Sequence, residues 1–298
     1  MAVQYGVMMR RLALPLLAVV AGLTAACGSA KVDVSDQPAG GVAYPTGADQ
    51  AVVRLSTGGG FVPEGADFRT PPDLLIMGDG TVYLPGAQIE IYPGPLLPAI
   101  STATLDPDGL RAVLEAADTA GLLKAPPSYE PASGAAQVAD APTTSLEINA
   151  NGQTFDHRAY ALGFQPNGVE STPQRNALDR FVTQVKDLTS LVGAEHLTAD
   201  EVYTPERFGV IARASTPEEL APTPDQITPE VVPWPDAAPP LASMTACTEV
   251  PAAAVGDTFD QANQLTRFSQ AGATYTLFVR VLMPGETCDS FSAGPPTS

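Results

Sequence analysis

The sequence predicts an α+β fold: an antiparallel sheet of hairpins with two helices on one face, plus a smaller disulfide-tied α+β domain at the C-terminus. Three observations predict it. Asp79-Gly80 and Asn151-Gly152 each separate two runs of strand length, as in β-hairpins. Asp106-Pro107 and Thr172-Pro173 each open an amphipathic stretch of helical period. The last 58 residues have helix and strand patterns of their own.

The first predicted elements run from Ala51 to Gly121. Residues 51–56 form a short strand, and residues 73–78 and 81–84 form a hairpin, whose Asp-Gly pair suits a type I′ turn. Alternation in Gln88–Tyr92 predicts another strand. The helix that Asp106 caps presents an apolar stripe and ends at Gly121. The stripe consists of Leu110, Val113, Leu114 and Ala117.

A second hairpin and helix follow a long irregular loop, residues 124–143. Residues 145–149 and 154–162 flank the Asn151-Gly152 turn, and Thr172-Pro173 opens the helix. One face of this helix is apolar, through Leu178, Phe181, Val182, Val185 and Leu188. Packing both helices on one face of the sheet is the economical arrangement, and it defines a domain over residues 51–192.

Residues 193–240 are predicted to contain a strand, centred on residues 208–214, and a connector. Eight prolines among residues 217–240 favour an extended, non-helical chain. Trp234 lies between two of these prolines, and packing is favoured over a recognition role. In the final domain, residues 241–298, we expect a short helix over Thr258–Phe268 and a strand over Ala273–Leu282.

The N-terminal 26 residues have the layout of a secretory signal peptide. Arg10 and Arg11 precede a nearly unbroken apolar run, residues 12–23, and small residues follow it. The run is shorter than the roughly 20 residues that a membrane-spanning helix needs. Met8 or Met9 are alternative starts.

The stretch Leu23-Thr24-Ala25-Ala26-Cys27 resembles the lipobox of bacterial lipoproteins. The resemblance implies that the Cys27 thiol receives a diacylglyceryl group and that the signal is cut just before it. Thr24 departs from the leucine most common at its position. The protein would then lie on the outer face of the cytoplasmic membrane, with residues 27–50 as a flexible tether. Plain cleavage with an ordinary thiol at Cys27, or an uncleaved signal anchor, are the alternatives.

The remainder of the chain is strongly acidic. From Cys27 onward, 13 lysine and arginine residues stand against 33 acidic residues, a net charge of −20. Such a surface is repelled by nucleic-acid phosphates and by anionic headgroups, so nucleic-acid binding is excluded. Membrane attachment then depends on the lipid, whose two acyl chains suffice for stable anchoring.

The two remaining cysteines, Cys247 and Cys288, are predicted to form a disulfide. An exported chain meets an oxidising compartment, which favours their pairing. The alternative, a catalytic thiol, would need a nearby histidine, and both histidines lie far away in the sequence.

Two further resemblances concern the body of the chain. Residues 51–190 resemble an extracytoplasmic domain family of unknown function through turn residues, namely Gly78-Asp79-Gly80-Thr81-Val82, Asp140-Ala141-Pro142-Thr143 and Asn151-Gly152. Residues 279–286 are similar to the tail of uncharacterised actinobacterial lipoproteins. Neither resemblance implies an activity or site residues.

The sequence contains no motif for catalysis, a cofactor or a metal. Gly58-Gly59-Gly60 lacks the Lys-Ser/Thr of a phosphate loop and is interpreted as a flexible turn. His157 is interpreted as a sheet-surface residue, because its neighbour Asp156 must point to the opposite face. Glu195-His196 lacks the remainder of a zinc-protease motif.

We therefore predict a lipid-anchored envelope protein that acts as a binding or structural module. Its expected partner is an envelope protein or glycan, contacted through the loops 58–72 and 124–143. The alternative is an envelope hydrolase using a carboxylate pair. A solute receptor for a transporter ranks last, because such receptors need parallel sheets and the hairpins predict antiparallel pairing.

Overall fold

A computed structural model describes residues 41–131, 138–164 and 171–291, and it confirms the predicted α+β class. Seven strands form the first sheet, in the order β6-β5-β1-β2-β3-β4-β7 with every pair antiparallel. They are β1 (Ala51–Gly58), β2 (Leu74–Met77), β3 (Thr81–Pro85), β4 (Ile100–Thr104), β5 (Thr143–Ala150), β6 (Gln153–Tyr160) and β7 (Glu201–Val202).

A second sheet follows in the C-terminal part, in the order β10-β8-β12-β11-β9. Its pairs are antiparallel except for β9 with β11. Its strands are β8 (Arg207–Ala214), β9 (Val231–Pro233), β10 (Thr248–Pro251), β11 (Arg267–Gln270) and β12 (Ala273–Val281). The helices are α1 (Ala66–Arg69), α2 (Pro107–Thr119), α3 (Pro173–Lys186), α4 (Leu188–Val192), α5 (Pro217–Leu220) and α6 (Ala252–Val255).

Both predicted hairpins are confirmed. β5 and β6 meet in a two-residue turn where Asn151 (φ 52°) and Gly152 (φ 71°) are left-handed, as a type I′ turn requires. The turn between β2 and β3 is different, because three residues connect the strands and only Gly80 (φ 88°) is left-handed. The predicted type I′ turn at Asp79-Gly80 is therefore wrong, although the hairpin is right.

The helices α2 and α3 begin where the sequence predicts. The Asp106 carboxylate accepts a hydrogen bond from Gly109 N (2.8 Å), and Thr172 Oγ1 accepts one from Arg175 N (3.3 Å). Their apolar stripes pack with Val53, Leu55 and other first-sheet residues in one core. The prediction that both helices cover one face of the sheet is thus confirmed.

The opposite face of the first sheet packs on the second sheet. β2 contributes to both cores, because Leu74 and Ile76 point to the helices while Leu75 and Met77 point to the second sheet. Trp234 is 4% exposed in this second core and lies 5.8 Å from the rings of Phe259 and Phe268. Packing is therefore its role, as predicted.

The strand expected over Gln88–Tyr92 does not exist. These residues form a loop in which Ile89, Ile91 and Tyr92 are exposed. Prolines at positions 85, 93 and 95 flank the segment and offer no N–H for a sheet ladder. Alternation alone was therefore a misleading signal.

The helix expected over Thr258–Phe268 is also wrong. Side chains compete for the backbone there: Leu265 N donates to Asn263 Oδ1 (2.8 Å), and Asn263 N donates to Thr266 Oγ1 (2.9 Å). The connector over residues 217–240, which is predicted to be non-helical, also contains a helical turn. α5 forms one turn, with Thr216 and Glu219 in a capping box.

Packing against the sheets extends N-terminal of Ala51, into residues 41–50 of the predicted tether. Asn151 N donates to Ala43 O (2.7 Å), and Gly78 N donates to Gln50 O (2.8 Å). A side chain at Gly78 would approach Pro45 O, and one at Gly285 would approach Asp49 O. This segment therefore contacts the turns of both hairpins and the turn that follows β12.

Candidate functional site

The first sheet exposes a polar cleft on the face opposite the helices. The second sheet covers the β2-β3-β4 half of that face and leaves part of β1, β5 and β6 open. The cleft there has a volume of about 480 Å³, and we call it the arginine cleft. Its lining consists of Arg54, Ser56, Thr57, Gly58, Gly59, Asp67, Thr70, Pro71, Thr143, Ser145, Arg158, Arg280 and Phe291.

Strand register brings its central residues together. Ser56 pairs with Ser145, and Ser145 pairs with Arg158, so these three residues form a row across β1, β5 and β6. Arg54 lies two residues from Ser56 on the same face of β1. Side chains that share a face in neighbouring strands lie about 5 Å apart at Cβ, so the four side chains border one space.

A buried ion-pair triad forms one wall. Glu286, 3% exposed, accepts from Arg54 Nη1 (2.5 Å) and from Arg280 Nη2 (3.0 Å) on Oε1. Its Oε2 accepts from Arg280 Nε (3.3 Å) and Met283 N (3.1 Å). Burial would raise the pKa of Glu286, but the charges and hydrogen bonds of Arg280 and then Arg54 outweigh it, so the pKa lies below its ordinary value.

Arg280 is a structural member of this wall. Its Nη1 donates to Phe68 O (3.0 Å) and Thr70 O (2.7 Å), and its guanidinium carbon lies 4.0 Å from the centroid of Phe291. These contacts fasten the loop 58–72 to β12. That loop, predicted to carry contacts, thereby borders the cleft.

Other donors of the cleft are open. Ser56 Oγ and Ser145 Oγ make no hydrogen bond among the described residues, and Arg54 uses only Nη1 there. Arg158 pairs with Asp156 at 3.2 Å, and its side chain is 70% exposed. Asp67, the acidic residue of the lining, accepts from Gly59 N (2.9 Å). The arrangement can therefore donate several hydrogen bonds to a bound molecule.

The second polar cluster of interest is buried under the helices and is structural. His157 is fully buried, so its predicted place on the sheet surface is wrong, while Asp156 does point to the opposite face. His157 Nδ1 lies 2.7 Å from Tyr129 Oη, and His157 Nε2 lies 2.9 Å from Leu122 O. Burial lowers the pKa of His157, and burial raises that of Tyr129 to about 12. The buried Arg175 donates to Tyr129 O (2.6 Å).

The predicted site residues have the following places. Cys247 and Cys288 form the predicted disulfide, with Cα atoms 5.4 Å apart. Cys288 N donates to Glu249, which also pairs with Arg207, and Arg207 donates to Glu286 O. The disulfide therefore lies next to the triad.

Cys27 and the signal segment lie outside the described residues. His196, beside Glu195, pairs with the helix cap Asp106 at 2.9 Å.

Two other depressions in the described part are less polar or smaller. One, of about 320 Å³, lies between residues 87–100 and 202–205 and includes Asp260. Another, of about 340 Å³, lies between residues 43–51 and 149–154 and includes no acidic residue. None of these three spaces has two carboxylates in its lining.

Across residues 41–131, 138–164 and 171–291, no group of three metal-ligating side chains occurs. In the same residues, no helix is long and apolar enough to cross a membrane.

Sequence reasoning missed the arginine cleft. Its arginines are more than 100 residues apart, so no motif connects them. The available signal was local: Arg54, Arg158 and Arg280 each interrupt a predicted or partly apolar strand.

Comparison with protein-family models, with curated proteins and with solved structures finds no match to this chain.

Proposed function

We propose that this protein is a lipid-anchored extracytoplasmic envelope protein that binds a polar ligand in the arginine cleft. The open donors of Arg54, Ser56 and Ser145, together with the exposed guanidinium of Arg158, carry this proposal. Arg54, Ser56 and Ser145 stand on the central strands β1 and β5, and Arg158 stands on the edge strand β6, so strand pairing sets where each side chain begins before a ligand arrives. The hydrolase alternative has no comparable support, because none of the three spaces described above offers a carboxylate pair.

Lipid anchoring rests on the signal layout and on cysteine usage. Cys247 and Cys288 are paired with each other, which leaves Cys27 as the third of three cysteines. A disulfide suits an oxidising compartment outside the cytoplasm. A body of net charge −20 gains nothing from an anionic membrane surface, so attachment by lipid is the consistent mechanism.

Metabolic labelling with a fatty acid tests the anchor. The wild type should incorporate label and fractionate with membranes, whereas Cys27→Ala should do neither. The double variant Cys247→Ala/Cys288→Ala is the matched control, since it removes two cysteines and should keep the label. Equal labelling of wild type and Cys27→Ala would refute the anchor.

Site-specific photocrosslinking on intact cells tests the binding module. A crosslinking amino acid at Ser145 lies within the cleft, and one at Glu115 lies on the exposed face of α2, across the sheet. Position 145 should give a defined adduct, with an envelope glycan or protein, that position 115 does not give. Identical adduct patterns at both positions would count against the cleft as the binding site.

A further inference from the structure

Resting on the proposed function, we infer that the arginine cleft recognises a phosphoryl group carried on a small hydroxylated ligand. Ser56 and Ser145 are directly paired, Arg158 is one strand farther, and Arg54 is two residues away, about 7 Å along β1. Arginine side chains are long enough to converge over the two hydroxyls from these distances. A group held there meets hydroxyls beneath it and a guanidinium on two sides.

The chemistry of the donors favours an oxyanion. A guanidinium presents paired N–H groups whose spacing matches two oxygens of a phosphate, and such charge-assisted hydrogen bonds are about twice as strong as neutral ones. Nε and Nη2 of Arg54 have no partner among the described residues, because Glu286 engages only Nη1. Ser56 and Ser145 can donate to a third oxygen or accept from a ligand hydroxyl.

The triad adds a positive charge to one wall of the cleft. In the triad, two arginines share the single carboxylate of Glu286, which leaves one positive charge beside the cleft. Three carboxylates lie nearby, and each has a donor: Asp67 accepts from Gly59 N, Asp156 pairs with Arg158, and Glu147, opposite Arg54 on β5, accepts from Asn149 Nδ2. Since the chain as a whole carries −18, attraction must come from direct contacts and not from the long-range field.

The test is calorimetric titration of the full-length protein in neutral detergent. The probes are inorganic phosphate, glycerol 3-phosphate, glucose 6-phosphate and, as the neutral comparison, glucose. Vesicles of phosphatidylglycerol and of phosphatidylcholine form a further arm, which distinguishes a lipid headgroup from a soluble phosphate ester. Phosphorylated probes should bind at millimolar concentration or below, and glucose should bind at least about tenfold more weakly.

Variants locate the binding. Arg158→Gln should weaken phosphate binding by about tenfold or more, because it removes a charged donor. Arg180→Gln removes the same charge from an exposed position on α3 and should bind like the wild type. Ser145→Asp places a negative charge in the cleft and should abolish binding, with unchanged thermal unfolding as proof of folding.

The outcomes separate this inference from the proposed function. Equal binding of glucose and glucose 6-phosphate, lost in Ser145→Asp, would overturn the phosphoryl inference and leave the cleft as a binding site. Absence of binding by every phosphate-bearing probe, or equal loss in Arg158→Gln and Arg180→Gln, would also overturn it.

Discussion

Replacing Glu286 by glutamine should lower the free energy of unfolding more than the removal of any exposed charge does. The substitution keeps the shape of the side chain, but its amide nitrogen must face either Arg280 Nε and Met283 N or the donors of Arg54 and Arg280. Two hydrogen bonds to a charged group are lost at whichever position the nitrogen takes, at about 1.5–3 kcal/mol each. Arg280, 6% exposed, is left without its counter-ion, and breaking such buried pairs costs about 3–5 kcal/mol.

The estimate from the lost hydrogen bonds and the estimate from the broken ion pair both give a loss of about 4 kcal/mol in the free energy of unfolding. For a chain of this size the loss corresponds to a decrease in Tm of roughly 8–16 °C. Urea unfolding followed by circular dichroism measures the free energy, and calorimetry measures Tm. Glu249→Gln is the matched control, because Glu249 also pairs with an arginine but its side chain is 36% exposed; it should cost less than about 1 kcal/mol.

The same variant has a pH signature. The pKa of Glu286 is lower in the folded protein than in the unfolded chain, so its stabilisation is present above the unfolded pKa and disappears as pH falls through the folded pKa. Glu286→Gln should therefore lose less stability between pH 5 and strongly acidic conditions than the wild type does. Equal unfolding free energies for Glu286→Gln and Glu249→Gln would refute the reasoning about the triad.

Two other predictions follow from buried or crosslinked groups. The pKa of His157 is lowered by burial, so stability should decrease as pH falls below about 6.5, by at most about 1.4 kcal/mol per pH unit. His157→Gln should flatten this decrease in urea unfolding measured from pH 7 to pH 5; an unchanged slope would contradict it. Cys247→Ala/Cys288→Ala should lower the free energy of unfolding by about 4 kcal/mol, since the bond closes a loop with a sequence separation of 41. Dithiothreitol should destabilise the wild type by a similar amount and leave the variant unchanged, whereas destabilisation of both would assign the effect to something other than this bond.

Features set by neighbouring residues could be predicted from the sequence. The hairpin at Asn151-Gly152 needs two left-handed residues, and few residue pairs other than Asn-Gly supply them. The starts of α2 and α3 depend on an N-cap and a proline within two positions, which the sequence displays directly. Neighbouring residues alone are sufficient to specify such elements.

Features set by distant residues could not be predicted. Gln88–Tyr92 has the alternation of a strand but no partner strand, and partners are chosen by the tertiary fold. His157 is buried because α2, α3 and the loop that carries Tyr129 cover its side of β6. Arg54, Arg158 and Arg280 border one cleft only when both sheets are in place, so no motif of neighbouring residues marks the site.

The segment over residues 41–50 is fastened to one end of the first sheet. It joins the sheet at the start of β1 and at the β5-β6 turn, through Gln50 and Ala43. The cleft lies toward the other end of the same strands, and Ser56 is about 17 Å from Ala51 along β1. The contacts of this segment and the lining of the cleft are therefore separated along the same strands. Gly78→Ala, whose Cβ would approach Pro45 O, should therefore displace this segment and leave the lining of the cleft in place.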